Sequence, residues 1–310
     1  MKFNKPKYWD SKNSLLPILF FPFSLIVLAI IFLKKKITKP ETFDIPVICL
    51  GNIYVGGTGK TPASIFVAKE LSKLGKKPVI LRKFYKSHVD EHVLIKNEFN
   101  NLILNKNRNI GLKIAKKKDY DTVILDDGFQ DYKVKKNLNI ICFNQNQLIG
   151  NGFVIPSGPL RNSLSSLQAA NIILINGNKD EKFEKKILKI NKNLKIFYSN
   201  YKPLNLDDFK GKKLLALAGI GNPKNFFQLI EKHGLKIEKK MSFPDHYEFN
   251  KKEIDNIKLE AKNKNYQIIT TEKDYIKIKE FDDNQIKCLK VLLDINESDK
   301  FLAEITKIYD

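Results

Sequence analysis

Apolar residues gather in this chain in short unbroken runs, set apart by longer stretches rich in lysine and asparagine. Residues 45–50 (IPVICL) form such a run, β-branched and free of polar interruption, which predicts a strand buried on both faces. Similar runs stand at 78–81 (PVIL), 122–125 (TVIL), 139–143 (NIICF) and 172–175 (IILI). Over residues 61–73, Ile65, Val67, Ala68 and Leu71 recur near helical spacing, and Gly75 offers a C-terminal stop. Strands that alternate with helices predict a largely parallel sheet with helices on both faces. A second α/β unit is predicted from about residue 195. It has a strand at 214–220 (LLALAGI), a helix over NFFQLIEKHG, a helix at 250–263 and a strand at 268–270. The expected organisation is an N-terminal segment 1–40, a larger α/β domain 41–194 and a smaller α/β domain 195–310.

The N-terminal segment carries the longest apolar run. Residues 14–33 (SLLPILFFPFSLIVLAIIFL) hold no charge. Lys2, Lys5, Lys7 and Lys12 precede them and Lys34, Lys35 and Lys36 close them. About 20 apolar residues suffice to cross a bilayer core. Pro17 and Pro22 are expected to kink or break a helix there, which leaves open a shallow anchor in one leaflet. No small-residue cleavage site follows, so a removed signal peptide is not expected.

The stretch Gly51-Asn-Ile-Tyr-Val-Gly-Gly-Thr-Gly-Lys-Thr61 lies between the first predicted strand and the first predicted helix. Strand, glycine loop, helix is the order in which backbone N–H groups and a helix N-terminus cradle phosphate oxygens. Gly56, Gly57 and Gly59 supply backbone freedom, Lys60 is placed to reach β- and γ-phosphates, and the Thr61 hydroxyl to ligate Mg²⁺. Tyr54 stands where the strict pattern wants glycine. A partner element follows at 122–130, where four apolar residues end in Asp126-Asp127, the carboxylates that a Mg²⁺–nucleotide site requires. The larger domain is thus expected to be of the P-loop NTPase type, with ATP and Mg²⁺ as cofactors.

Composition adjusts this picture only slightly. The chain has 310 residues, 43% of them hydrophobic, and a formal net charge of +21. The positive charge is almost all lysine, spread along the chain; arginine occurs only at 82, 108 and 161. Sequence readers of nucleic acid depend on arginine and on basic stripes interleaved with aromatics, so no nucleic-acid partner is expected. Cys49, Cys142 and Cys288 are odd in number and lack a CxxC spacing, which suggests free thiols in a reducing compartment. The Thr271-Glu272-Lys273-Asp274 segment lacks the spacing of a guanine-recognition motif, which weighs against a GTPase switch.

Several further segments, taken in order, resemble the tetraacyldisaccharide 4'-kinase family of lipid A biosynthesis. They are GN-x-x-VGGTGKTP (Gly51 to Pro62), Asp90-Glu91, DDGFQ (Asp126 to Gln130), GNG…P-x-GPLR (Gly150 to Arg161), AGIGNP-x-x-FF (Ala218 to Phe227), FPDH (Phe243 to His246) and TTEKD (Thr270 to Asp274). The resemblance covers nearly the whole chain. It implies transfer of the γ-phosphate of ATP to the 4'-hydroxyl of a tetraacylated glucosamine disaccharide 1-phosphate, at the cytoplasmic face of the inner membrane, among its lipids. It implies nucleotide contacts from Val55, Gly56, Gly57, Thr58, Gly59, Lys60, Thr61 and Pro62, and Mg²⁺ held by Thr61, Asp126 and Asp127. It further implies Asp90 and His246 as a carboxylate-oriented base, with Lys60 stabilising the transferring phosphoryl. Arg161, an arginine in a chain that prefers lysine, is expected to touch a phosphate.

The chain departs from the family pattern at three places. Asp131 stands for the histidine of DDGFQH, Asn162 for the glutamate after GPLR, and Lys83-Phe-Tyr-Lys-Ser87 for RGYGG, without its glycines. These departures are expected on the acceptor side, with the ATP elements intact. The alternatives are a membrane-associated P-loop ATPase or GTPase and an inactive nucleotide-binding relative.

Overall fold

Valine, isoleucine, cysteine and leucine follow one another in β1 (Val47–Gly51), and every one of its residues is buried. Such a strand is stable only with a neighbour on each edge and a layer on each face. The computed structural model, which describes residues 6–9, 14–282 and 284–310, supplies both. The expected Lys2, Lys5 and Lys12 flank lies outside the described residues, as does the Ser87 side chain. After β1 come α2 (Lys60–Lys73), β2 (Pro78–Lys83), α3 (Val89–Glu98), β3 (Leu102–Asn105), α4 (Arg108–Lys117), β4 (Thr122–Asp126), β5 (Leu138–Asn144), β6 (Ile172–Asn176), α5 (Glu181–Leu188) and β7 (Lys195–Pro203); α1 (Leu16–Ile37) precedes them all. Next are β8 (Leu214–Ala218), α6 (Pro223–Lys232), β9 (Ile237–Ser242), α7 (Lys251–Asn263), β10 (Gln267–Thr271), α8 (Glu272–Ile278), β11 (Ile286–Leu289), β12 (Val291–Ile295) and α9 (Ser298–Thr306).

Among the described residues the strands form two sheets, one of eight strands in the order β12-β7-β6-β5-β1-β4-β2-β3, and one of four in the order β11-β10-β8-β9. From β3 to β7 the larger sheet is parallel, as the alternation of strands and helices predicts. In the register, Cys49 faces Leu125 and Leu50 faces Asp126, so the end of β4 lies beside the start of the glycine loop.

The compact units do not follow chain order. One unit holds the described residues up to Phe84, Phe99–Asn200 and Leu293–Asp310; the other holds Tyr85–Glu98 and Tyr201–Leu292. Helix α3 is thus taken out of the first stretch of chain to pack on α8, and the C-terminus returns. Phe301 of α9 is fully buried against Phe197, and the Tyr309 and Thr122 hydroxyls are 2.7 Å apart. Apolar anchors of this size outweigh the cost of closing the long loop between them.

Pro22 does not break α1, contrary to expectation. Pro17 falls in the first turn, where a missing N–H is no loss, and the helix runs on through Pro22. A narrow stripe of α1 docks on its unit: Ser24 is buried, donates to the Val154 carbonyl at 2.8 Å and accepts from the Ser157 N–H at 3.1 Å. Val27 and Leu28 pack on the core beside it. The rest of the helix exposes Ile18, Leu19, Phe23, Ile26, Ile30 and Leu33. It is long and apolar enough to cross a membrane.

Candidate active site

The glycine loop is built from its buried start outward. Tyr54, the residue out of pattern, is fully buried and bridges Leu160. Its hydroxyl accepts the Asn144 N–H at 2.8 Å, so the tyrosine pins the loop to the end of β5. The loop carbonyls are held by side-chain donors: Gln130 on Asn52 at 2.6 Å, Gln147 on Val55 at 3.3 Å and Asn144 on Gly57 at 3.4 Å. Gly56 (φ 132°) and Gly59 (φ 81°) take the left-handed conformations only glycine adopts cheaply, whereas Gly57 does not. Thr58 is buried, its hydroxyl near the Asn52 amide at 3.4 Å. Gly59 caps α2 without a side-chain bond, so the helix begins with the N–H groups of Lys60 and Thr61 uncapped, ahead of Pro62, which has none. Such a terminus attracts anions.

Two acids close the other side, in different settings. Asp126, fully buried, takes the Thr61 hydroxyl at 3.0 Å and the Ser64 hydroxyl at 3.1 Å, from successive turns of α2, and pairs with Arg82. A buried carboxylate beside a threonine hydroxyl is the oxygen-rich donor set that Mg²⁺ takes. Asp127 sits in the left-handed region at φ 55° and faces Arg161 at 3.0 Å and Lys60 at 3.7 Å. Burial pushes its carboxyl up, but the Lys60 and Arg161 charges outweigh this and hold it well below the usual carboxylate range. Arg161 also donates to Asn52 at 2.9 Å, which places it at the loop.

All three arginines of the chain meet this one segment. The third, Arg108, is buried, donates to the Asp127 carbonyl at 2.7 Å and pairs with Asp131 at 3.1 Å. Asp131 is therefore engaged inside its own unit, with the Lys133 N–H also on its carboxylate at 3.1 Å. Asn162 likewise has an inward partner, the Tyr132 hydroxyl at 2.7 Å. Asp131→His is expected to leave the Arg108 guanidinium short of its counter-charge and to cost roughly 3 kcal/mol, read as a lower urea midpoint at pH 7.

The other unit holds the second cluster. Asp90 lies on the first turn of α3, buried, and both its oxygens reach Nδ1 of His246, at 3.2 and 3.1 Å. The two residues are 156 positions apart in sequence. His246 sits at φ 56°, a left-handed conformation that histidine tolerates in tight loops. Burial raises the Asp90 carboxyl, but the His246 hydrogen bond and the charges of Lys273 and Lys277 hold it below the usual range. The His88 ring stacks on that of His246, centroids 4.2 Å apart and planes within 3°. His88, Glu91 and His246 are close enough to suggest a metal site. Parallel stacked rings do not aim their lone pairs at one point, however, and the Lys273 ammonium lies 3.0 Å from Glu91 and 3.4 Å from Nε2 of His246. What the cluster offers instead is a carboxylate-oriented imidazole, suited to accepting a proton.

Sequence reasoning missed Arg82, Ser64, Asn52 and His88. Arg82 carried the same signal as Arg161, an arginine in a lysine-rich chain. Ser64 was legible as the residue one turn after Thr61 on the same helix face. Cys49 and Cys142 are buried free thiols as expected, and burial pushes the first up to about 11 and the second to about 12.

The family model for LpxK, tetraacyldisaccharide-1-P 4'-kinase, matches residues 15–310. A tetraacyldisaccharide 4'-kinase of Pelagibacter ubique (strain HTCC1062) is 39% identical over 313 residues, covering 99% of each chain. One of Rickettsia akari (strain Hartford) is 34% identical over 319 residues, covering 97% of this chain and 96% of the relative. Among solved structures, LpxK from Aquifex aeolicus, described as an "apo" form in complex with ATP, shares the fold. It aligns with a TM-score of 0.72 at 24% identity, over 95% of this chain and 100% of that one. On the extent of these matches, the chain belongs to the tetraacyldisaccharide 4'-kinase family.

Proposed function

We propose that this chain transfers the γ-phosphate of ATP to the 4'-hydroxyl of a tetraacylated glucosamine disaccharide 1-phosphate, giving lipid IVA. The observation that carries the reading is the Asp90–His246 pair, because a sugar hydroxyl is a poor nucleophile and needs a base. In this reading Asp90 orients the imidazole through Nδ1, and Nε2 takes the hydroxyl proton as the oxygen attacks. The loop from Val55 to Pro62 holds the phosphates, with Lys60 and the α2 N-terminus stabilising charge on the transferring phosphoryl. Arg161 supports Asp127 and meets a phosphate. Mg²⁺ neutralises phosphate charge when bound, and Thr61 and Asp126 are the residues to hold it, with Asp127 beside them.

The segment 1–40 anchors the chain, 41–194 carries the nucleotide and 195–310 supplies His246. The docked stripe through Ser24, Val27 and Leu28 suits a helix that lies in one leaflet, its outward residues among the acyl chains. In this reading the chain works on the cytoplasmic face of the inner membrane, where ATP and a lipid acceptor meet. The test is label transfer from γ-labelled ATP to a detergent-dispersed tetraacyl disaccharide 1-phosphate. Labelled lipid is expected; ATP binding without labelled lipid would overturn the reading.

A further inference from the structure

The TTEKD segment has no role in the chemistry so far. Most of it is internal bracing. The Thr271 hydroxyl caps α8 by accepting the Asp274 N–H at 3.1 Å. Asp274, fully buried, accepts the Gly219 N–H and the Thr271 hydroxyl, each at 2.8 Å, and pairs with Lys277 at 2.8 Å. Lys273 reaches out of this knot to the Asp90–His246 cluster. Its ammonium lies 3.0 Å from Glu91, 3.0 Å from Asp245 and 3.4 Å from Nε2 of His246.

That last distance has a chemical meaning. A lysine ammonium only donates, so a hydrogen bond between the two requires a lone pair on Nε2 and the ring proton on Nδ1 against Asp90. This is the tautomer that a base requires. An oxygen that gives its proton to Nε2 must come within about 2.6–3.2 Å of it. With Nζ only 3.4 Å from Nε2, one oxygen can lie at hydrogen-bond distance from both atoms.

We propose that Lys273 is a catalytic residue of the transfer: its ammonium and Nε2 of His246 together form the seat of the acceptor hydroxyl oxygen. The inference rests on the transfer reading above. As the hydroxyl proton passes to Nε2, the oxygen forms its bond to the γ-phosphorus, and the bond from that phosphorus to the β-phosphate oxygen breaks, leaving ADP. Lys273 keeps its protons and stabilises the charge that builds on the oxygen in between. Glu91 and Asp245 hold the ammonium in place.

The rival role for Lys273 is neutralisation of those carboxylates, with no contact to substrate. Label transfer is therefore measured for wild type, K273M, K273R, D245N and the double variant D245N/K273M, with thermal unfolding alongside. For K273M, kcat is expected to fall by about a hundredfold or more, with the KM for ATP little changed. K273R is expected to recover part of the rate. The double variant carries less uncompensated charge, which protects its fold, and it is expected to be as slow as K273M. A K273M rate within a few-fold of wild type, or a double variant restored to the D245N rate, would overturn the assignment while leaving the transfer reading in place. A wild type that labels no lipid would overturn both.

Discussion

His246→Ala is expected to lower the rate of lipid phosphorylation by about 10²–10⁴-fold while ATP still binds. Both Asp90 oxygens bond this ring, and the Lys273 and Lys277 ammoniums beside that carboxylate are donors. The fold is expected to survive, because His246 sits in a partly exposed loop and Asp90 retains both lysines. Asp90→Asn separates orientation from charge. An asparagine can present its amide N–H to Nδ1, which places the ring proton on Nε2 and removes the base. The loss is then expected to approach that of the alanine variant, despite a nearly unchanged shape. Single-turnover label transfer with saturating ATP measures both; a rate within tenfold of wild type for either would remove His246 from the base role.

Lys60→Ala is expected to act on the nucleotide instead. Removing one preorganised donor from a transferring phosphoryl costs about 10²–10³ in kcat. Here the ground state suffers too, since Lys60 lies at the N-terminus of α2 where the phosphates bind. The readout that separates this variant from His246→Ala is stabilisation by ligand. ATP that binds only the folded chain raises the unfolding free energy by about 2.7 kcal/mol at a hundredfold excess over Kd. That shift is expected to shrink in Lys60→Ala and to persist in His246→Ala. Asp127 still faces Arg161 at 3.0 Å once Lys60 is gone, so the variant is expected to fold. An undiminished ATP-induced shift in Lys60→Ala would place the nucleotide elsewhere.

The parts legible in the sequence were those whose physics is local. β1, β4, β5 and β6 are apolar runs because they are buried on both faces, and the loop between β1 and α2 announces itself by its glycines. β9 (IEKKMS) was hidden, since its exposed alternate positions are Glu238, Lys240 and Ser242 and only its pairing with β8 makes it a strand. α3 (VDEHVLIKNE) was hidden too, since it shows no clear apolar face and is fixed by packing on α8. The pairing of Asp90 with His246 has no local signature at all. It came from the family resemblance, and a single sequence has no other route to a contact spanning 156 residues. The arginines lie between these cases: each stood out in composition, but their convergence on residues 126–131 is a property of the fold.

Helix α3, lent by one stretch of chain to the other unit, also governs how the gene can be divided. A gene cut at codon 200 would put Asp90 on the first polypeptide and His246 on the second, so neither half would carry an intact pair. The second half would also lose the helix that α8 packs on, while keeping α9, whose Phe301 belongs with Phe197 of the first. The halves can therefore regain function only by reassembling, and a split gene becomes a selectable assay for their association in the cell.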